Sequence, residues 1–539
     1  MKKKLLVLLL MVVPMLTFAQ EKGLDQKIDA AFQPVSDFFS NLIFFTIPIA
    51  GIDVPFVLLL LVGSALFFTI YFKFPNIFHF KTAINVVRGK YDELDQHVAG
   101  DPVLAIGGDI KGTIKDESTE GEVTHFQALA TAVSGTVGNG NIAGVALAIA
   151  LGGPGATFWM VVCGFLGMST KFVECTLGVQ YRDVGEDGTV YGGPMYYISK
   201  GLKERGFETF GKIVAVIFAI FCIGGSFGGG NAAQSNQATV VLKELMGLES
   251  SGAGFWIGVV MAIVVGVIII GGIKRIASVT EKVVPFMAVL YLLACLYILG
   301  ANFSLIDDAF SLIFREAFNP TAIGVGGVIG VLLVGFKRAA FSNEAGAGSA
   351  SIAHSAVKTK YSASEGLVAL LEPFIDTVVI CTMTALVIII FNFGGDASGA
   401  TIFQYGGDGA GAVLIDGVSY EGAGITSKAF AQYIPYSNVF LTVAVVLFAV
   451  STMISWSYYG LQSWKFLFGR GKAADMTYKL LFLLFVVIGA SASMKSIWAF
   501  SDAMIFAMVF PNMVGLYFLF PVVKEQLKRY TDAIKESKA

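Results

Sequence analysis

Long apolar stretches separated by short polar segments make up most of the chain from residue 54 onwards. Each stretch is close to the length of about 20 residues that a helix needs to cross a bilayer. They lie at approximately 54–72, 126–151, 156–179, 213–245, 255–272, 283–299, 323–345, 366–391, 436–461, 478–490 and 497–521. The pattern predicts an all-α, polytopic membrane protein with about 11 transmembrane helices.

The second apolar stretch is interrupted where a membrane helix would normally continue. The interruption is the octapeptide Ser134–Asn141, which is small, polar and broken by glycine. An unwound backbone is tolerated within a membrane only where it is buried in protein or lines a cavity. The break is therefore the first candidate for a binding site.

A second irregular stretch, Gly335–Gly346, falls in the seventh apolar stretch. If the first span is set aside, ten remain, and the two interruptions fall in the first and sixth of these core helices. Interruptions at corresponding positions of two five-helix halves are typical of inverted-repeat transporters. We therefore expect a 5+5 inverted repeat whose broken helices meet near the midplane.

Composition agrees with a membrane location. Hydrophobic residues make up 55% of the 539 positions and charged residues only 14%, and mean hydropathy is +0.73. These values are too apolar for a soluble globular protein, so the lipid bilayer is an expected partner. Nucleic-acid binding has no support in the charge pattern, and the oligomeric state is not readable from the sequence.

The first 20 residues are typical of a cleaved signal peptide, with Lys2–Lys4 before a short apolar run and small residues near Ala19. An uncleaved anchor is the alternative. An outward N-terminus followed by eleven crossings puts most Lys and Arg residues in inner loops, as the positive-inside rule requires. We expect a multi-pass protein of a bacterial cytoplasmic (inner) membrane, with the N-terminus outside and the C-terminus inside.

The polar segments divide the chain into regions. We expect a signal peptide at 1–20, an extracytoplasmic lead-in with a peripheral transmembrane helix at 21–72, a cytoplasmic loop at 73–125, five-helix repeats at 126–301 and 302–522, and a cytoplasmic tail at 523–539. The polar insert 91–122 and the external Gly- and Asp-rich loop 392–428 receive no function.

Half-helix ends at the first break offer N–H groups on one side and C=O groups on the other. An amino acid zwitterion needs both, and Gly138 and Gly140 let the backbone approach it. Asn141 adds an oxygen suited to a small cation. The alternative is helix packing, because Gly140 and Gly144 form a GxxxG pair.

The motifs resemble those of the alanine or glycine:cation symporter family. The resemblance lies in the runs 135–146 and 152–160, in Gly167-Met168 with 171–174, and in Arg338 with 341–350. It covers nearly the whole chain after the signal peptide. It implies a LeuT-type fold and co-transport of sodium with a small amino acid. Asn139 stands where the family is expected to have threonine, so the preferred amino acid and its enantiomer stay open.

The resemblance also implies roles for individual residues; the stretch Val137–Asn141 is similar to the V-G-x-G-N stretch of the neurotransmitter:sodium symporters. Substrate would be lined by Thr136, Gly138, Asn139, Gly140, Gln234 and Trp456. Sodium would be bound by Ser134, Val137, Phe448, Ser451 and Thr452, with Asn141 at a second sodium site.

Several of these side chains could instead have a purely structural role. Ser451 and Thr452 could bond back to their own helical turn, Gln234 could join two helices, and Trp456 could be a packing aromatic. Arg338 with Glu344, or Lys171 with Glu174, could pair as a cytoplasmic gate. For Lys171 and Lys337 the simpler expectation is that the side chain extends to the interface.

The sequence thus predicts a secondary active symporter that imports alanine or glycine with sodium and is not an enzyme. The five cysteines show no metal-binding spacing, and no His, Cys or Asp cluster suits catalysis within a span. A proton-coupled amino acid transporter is the first alternative, although Ser134, Val137, Ser451 and Thr452 include no titratable group. An ion channel is the second.

Overall fold

A computed structural model describes residues 24–95 except 50, 121–248 except 186 and 187, 250, 252–319, 327–393 and 401–537 except 407, 408 and 410. The expected signal peptide and most of the insert 91–122 lie outside the described residues. In the described residues the chain is mainly helical, which confirms the predicted all-α class.

The helices are α1 (Leu24–Ile43), α2 (Phe56–Tyr71), α3 (Pro75–Phe78), α4 (Phe80–Val87), α5 (His125–Thr136), α6 (Val145–Gly152), α7 (Gly155–Gln180), α8 (Pro194–Glu204), α9 (Glu208–Phe227), α10 (Ala233–Met246), α11 (Ala253–Ile269), α12 (Gly272–Ala301), α13 (Ile306–Phe318), α14 (Gly327–Asn343), α15 (Ala350–His354), α16 (Ser362–Ala369), α17 (Leu371–Pro373), α18 (Thr382–Asn392), α19 (Ala423–Ala431), α20 (Ser437–Phe468), α21 (Lys472–Ser491) and α22 (Met494–Glu536). Short 3-10 turns lie at Asp92–Asp95 and Phe303–Leu305.

Three π-helical segments join pairs of these helices. They are Gly140–Gly144 between α5 and α6, Gly228–Ala232 between α9 and α10, and Phe374–Cys381 between α17 and α18. π-helical turns often occur at functional sites because the extra residue changes the direction of the side chains that follow.

Three antiparallel hairpins lie between helices. The strands are β1 (Thr46–Ile49) with β2 (Ile52–Pro55), β3 (Asp183–Val184) with β4 (Val190–Tyr191), and β5 (Val413–Ile415) with β6 (Val418–Tyr420). The β5–β6 hairpin lies within the predicted external loop 392–428, so part of that loop has regular secondary structure.

Seven helical segments in the described residues are long and apolar enough to cross a membrane, and the bent pair α5 and α6 is an eighth candidate if it forms one span. Two shorter apolar helices, α2 and α11, add further candidates. All lie at positions where the sequence predicts spans. The total of eleven and the inverted-repeat relation stay predictions.

The first predicted break is present. Helix α5 begins with a capping box, in which Thr124 accepts from the Gln127 amide and Gln127 accepts from the Thr124 amide. It ends at Thr136, and the following half turns by 51°. The free Gly138 N–H donates to Oδ1 of Asn141 at 2.8 Å, so a side chain replaces the lost helical bond.

The second break lies further along the chain than predicted. Helix α14 continues through the predicted irregular stretch as far as Asn343, and the chain unwinds at 344–349. There Glu344 has a φ of 55°, a conformation that costs about 1–3 kcal/mol for a residue other than glycine. The earlier residues stay helical because α14 is packed along α7.

The crossing of α16 and α7 depends on the absence of a side chain at Gly366. A Cβ there would lie 1.9 Å from Thr176 Oγ1 and 2.8 Å from the Phe172 carbonyl oxygen. Close helix approach of this kind replaces the hydrophobic effect as the source of stability in a membrane.

We expect Gly366→Ala to lower the stability of the protein by about 1–3 kcal/mol, because the helices must separate. The apparent Tm of the detergent-solubilised chain measures this loss. Gly63→Ala on α2 is the matched control, since nothing lies within 4 Å of a Cβ at that position. Equal Tm values for the two variants would contradict the close crossing.

Candidate functional site

The first break is joined to the middle of α20 by reciprocal hydrogen bonds. Thr452 Oγ1 donates to the Ser134 carbonyl oxygen at 3.0 Å, and Ser134 Oγ donates to the Ser451 carbonyl oxygen at 2.8 Å. Ser451 Oγ donates to the Phe448 carbonyl oxygen at 3.0 Å. Val137 is fully buried at the end of α5. Four of the five residues predicted to bind sodium are therefore linked, without any charged group among them.

The plainer interpretation holds for one of the two α20 hydroxyls. Ser451 bonds back to its own turn, as serines in membrane helices often do. Thr452 instead donates across to α5. Of these two hydroxyl groups, that of Thr452 links α20 to α5, whereas that of Ser451 stays within α20.

Gln234 fills the space beside the break. Its Oε1 accepts from the Asn139 amide at 2.9 Å, and its backbone carbonyl accepts from Asn139 Nδ2 at 3.2 Å. Its Nε2 donates to the Gly229 carbonyl oxygen at 2.9 Å. A Cβ at Gly138 would lie 2.4 Å from Thr452 Oγ1 and 3.0 Å from Gln234 Oε1. The glycine thus allows three elements to meet at the break.

One atom at this meeting point is unsatisfied. Asn139 is almost fully buried, yet among the residues that the structure describes its Oδ1 has no hydrogen-bond partner. A buried carbonyl oxygen without a donor costs about 1–3 kcal/mol. The position is therefore ready to accept a hydrogen bond from a ligand that enters the break.

The Asp376 carboxylate, which the sequence analysis did not identify, contacts residues from both broken helices. Asn141 Nδ2 donates to Asp376 Oδ1 at 2.6 Å, and Ser342 Oγ donates to the same oxygen at 3.2 Å. The Cβ position of Gly140 lies 3.5 Å from Ser342. A lone acid in the apolar run 374–380 was the available signal, since ionisable residues inside spans are expensive and usually functional.

The second break is tied to α20 as well. Trp456 Nε1 donates to Glu344 Oε1 at 2.9 Å, and Ser349 Oγ donates to the other carboxylate oxygen. Trp456 also packs against the glycines of α9 and of the following π segment, where a Cβ at Gly230 would lie 2.1 Å from its ring. The indole therefore connects the second break to the π segment that precedes Gln234 of α10.

The expected pair of Arg338 and Glu344 is not formed. Arg338 makes an ion pair with Asp502 of α22, which Lys337 also contacts at 2.9 Å. The Arg338 guanidinium lies 5.4 Å from the rings of Phe341 and Trp498. Asp502 is 164 positions away from Arg338, so spacing within α14 could not indicate this partner.

A chain of buried ionisable groups lies beside the second break. Glu365 contacts His125 and, at 2.5 Å, His354 Nδ1. The other His354 nitrogen lies 3.7 Å from Glu372, which accepts from Lys171 Nζ at 3.1 Å. Lys171 is fully buried, so the prediction that it extends to the interface is wrong. In the described residues no group of three or more His, Cys, Asp or Glu side chains is placed to hold a metal ion.

Sequence comparisons with known proteins show the family of this chain. The model of the sodium:alanine symporter family matches residues 43–539. The sodium/alanine symporter AgcS of Methanococcus maripaludis is 38% identical over 89% of this chain and 95% of its own length. A sodium/proton-dependent alanine carrier protein of Bacillus sp. (strain PS3) is 32% identical over 78% of this chain and 91% of its own.

Among solved structures, that of MhsT in complex with L-phenylalanine has a TM-score of 0.46 and 14% identity. It covers 75% of this chain and 99% of MhsT. At that score the likeness adds nothing to the helical class.

We expect Lys171→Met to lower stability by about 3–5 kcal/mol, because it leaves the Glu372 carboxylate buried without its ammonium partner. The double variant Lys171→Met with Glu372→Gln should regain much of the loss. The apparent Tm of wild type, Lys171→Met, Glu372→Gln and the double variant in detergent measures the effect. Additive losses would show that the two groups act independently.

Proposed function

This chain belongs to the sodium:alanine symporter family, and we propose that it imports alanine or glycine together with sodium. Membership of the family makes it a multi-pass membrane transporter and not an enzyme. The observation that carries the proposal is the meeting of Ser134, Thr452, Asn139 and Gln234 at the first break.

The first sodium position is proposed at the oxygens shared by α5 and α20. Hard cations prefer neutral and anionic oxygens, including carbonyl and hydroxyl groups. The oxygens of Ser134, Ser451, Thr452 and Phe448 already lie within hydrogen-bond distance of one another in pairs. A sodium ion would replace those hydrogen bonds, with Val137 supplying a further carbonyl.

The substrate is proposed to bind between Gln234 and the first break, where Gln234 now hydrogen-bonds to Asn139. The unpartnered Asn139 Oδ1 is suited to accept from the ammonium group of an amino acid. The substrate carboxylate would meet N–H groups at Gly138 and Gly140, where the start of a half-helix favours negative charge. Trp456 limits the size of the side chain, and the small residue Thr136 completes the wall.

Alternating access requires closure on each side of the site in turn. With the predicted outward N-terminus, Asp502 lies near the outer end of α22. We propose that the Arg338–Asp502 pair closes the outer side, while the Glu344–Trp456 contact and the buried ionic chain close the inner side. This replaces the Arg338–Glu344 latch. Inward movement of one net charge then gains about 2.3 kcal/mol per 100 mV.

We expect Thr452→Ala to weaken sodium-driven alanine uptake by about tenfold or more, because the variant removes a ligand worth about 1–3 kcal/mol. Uptake of radiolabelled alanine and glycine into proteoliposomes with an inward sodium gradient measures it. Thr452→Ser keeps the hydroxyl and is the matched control.

The same uptake assay is repeated with an inward potassium gradient or an inward proton gradient in place of the sodium gradient. The proposal expects no uptake above background with either gradient alone. Uptake driven equally by protons in the absence of sodium would contradict sodium coupling. Alanine-independent sodium flux of similar size would favour a channel.

Asn139→Ala should raise the KM for alanine by about tenfold, because the ammonium group loses a buried acceptor. Asn139→Thr restores a hydroxyl that can accept and should recover part of the affinity. The KM from initial uptake rates measures both variants, and their apparent Tm values report folding. An unchanged KM for Asn139→Ala would remove this residue from the substrate site.

A further inference from the structure

A cavity of about 240 Å³ lies beside α10, further along that helix than the first break. It is formed by the first turns of α1, by α10, and by the turn that joins α21 to α22. The match to the symporter family begins at residue 43, so the part of α1 that lines the cavity lies outside the matched region. With the predicted outward N-terminus, the cavity faces the external side.

The wall of the cavity carries a pair of opposite charges. Lys243 Nζ of α10 lies 3.4 Å from Asp25 Oδ2 of α1, and the Asp25 side chain is only 15% exposed, so water screens this pair less than a surface pair. The other carboxylate oxygen, Asp25 Oδ1, is buried and has no hydrogen-bond partner among the described residues. A buried acceptor without a donor is unfavourable, so this oxygen is suited to accept from a ligand.

Two further carboxylates, those of Asp29 and Glu421, line the same cavity. Asp29 lies one turn after Asp25, and its Oδ1 accepts from the amide and the hydroxyl of Ser493 at 3.0 and 2.7 Å. Three carboxylates and one lysine give the wall an excess of negative charge. Since no group of acidic side chains in the described residues is placed to hold a metal ion, the fitting counter-charge is an ammonium group, which brings its own hydrogen-bond donors.

The pair of Asp25 and Lys243 is complementary to an amino acid zwitterion. An α-amino acid carries its ammonium group and its carboxylate on one carbon atom, so the two can meet an adjacent anion and cation at the same time. Among the described residues of the wall, only Val240 and Met494 are large and apolar. A cavity that is this small and this polar suits a small amino acid rather than a large apolar ligand.

The cavity lies on the same helix as Gln234, which borders the first break. Lys243 is nine residues further along α10, or about 14 Å. Between them, Gln237 Oε1 accepts from the Ala423 amide at the start of α19 at 3.2 Å. Helix α19 also hydrogen-bonds to the π segment of the first break through Thr426. An amino acid in the cavity would therefore lie next to the contacts that separate it from the break.

We propose that this cavity is an outer site for a small amino acid zwitterion, in which Asp25 binds the ammonium group and Lys243 binds the carboxylate. The site takes up the amino acid from the external solution before the contact between Gln237 and α19 opens. It supplies both charges itself, whereas the proposed sodium ligands at the first break are neutral, so the outer site binds without sodium. The inference rests on the proposed function for the choice of alanine or glycine as the amino acid.

The test is protection of a cysteine placed in the cavity. Val240→Cys puts a thiol on the wall, whereas the five native cysteines are buried. Alkylation of the full-length variant by N-ethylmaleimide is followed in detergent, in potassium buffer without sodium. Alanine at about ten times its Kd should slow the reaction roughly tenfold, because occupied sites do not react.

Asp25→Asn in the Val240→Cys background should raise the alanine concentration for half-protection by about tenfold or more, because the ammonium group loses a charged acceptor. Asp37→Asn is the matched control and should keep full protection, since Asp37 is exposed on the same helix and does not line the cavity. Ethylamine, which has an ammonium group but no carboxylate, should protect less than alanine. Lys243→Met should remove that difference.

Absence of protection by alanine, or equal protection in Asp25→Asn and Asp37→Asn, would overturn the proposal. Equal protection by ethylamine and alanine would overturn the assignment to an amino acid. The apparent Tm of each variant reports its folding. If Asp25→Asn does not fold, Lys243→Met still decides, because a preference for alanine over ethylamine that survives this substitution contradicts the proposed contact with the carboxylate.

Thr452→Ala separates this inference from the proposed function. It removes a proposed sodium ligand at the first break, so protection of Val240→Cys should remain while sodium-driven uptake falls. Protection that Thr452→Ala abolishes would place the alanine at the break and overturn the outer site. Protection without any uptake of alanine or glycine by wild type would support the outer site and contradict the proposed transport. Sodium-driven uptake without protection would do the reverse.

Discussion

Every backbone group that the first break frees must find a partner inside the protein, because the membrane interior offers no water. Asn141 takes the Gly138 amide, Gln234 takes the Asn139 amide, and Thr452 donates to the Ser134 carbonyl. The same atoms are those that an amino acid and a cation would need. Binding at the proposed site would thus be an exchange of hydrogen bonds, in which ligand groups replace the side chains that now satisfy the backbone.

Helix α20 connects the two breaks. Thr452 reaches the first break, and Trp456, one turn later, reaches Glu344 in the second. A change at the proposed ion site would therefore reach the second break through the single helix α20 rather than through a long series of contacts. Reciprocal coupling between ion and substrate follows if the two arrangements of α20 bind each of them differently.

The sequence was sufficient for what depends on local composition. A glycine-broken polar run in an apolar stretch located the first break, whereas Gln234 and Thr452 were indicated as its partners by the family resemblance. Contacts between distant segments were not accessible in this way. Arg338 pairs with Asp502 and not with Glu344 because helix α22 packs beside the second break, and the positive φ of Glu344, which moves that break along the chain, depends on tertiary contacts.

Asp376 illustrates how charge can enforce coupling. In this structure the carboxylate is fully buried, so an ionised Asp376 without a balancing charge would cost several kcal/mol. Burial of this group is therefore favourable only when a bound cation or a proton neutralises it. A neutral residue at this position would bind the substrate without penalising closure of the ion-free protein. The carboxylate thus penalises movement of the amino acid without its ion, and that penalty makes the downhill flow of ions available for uptake.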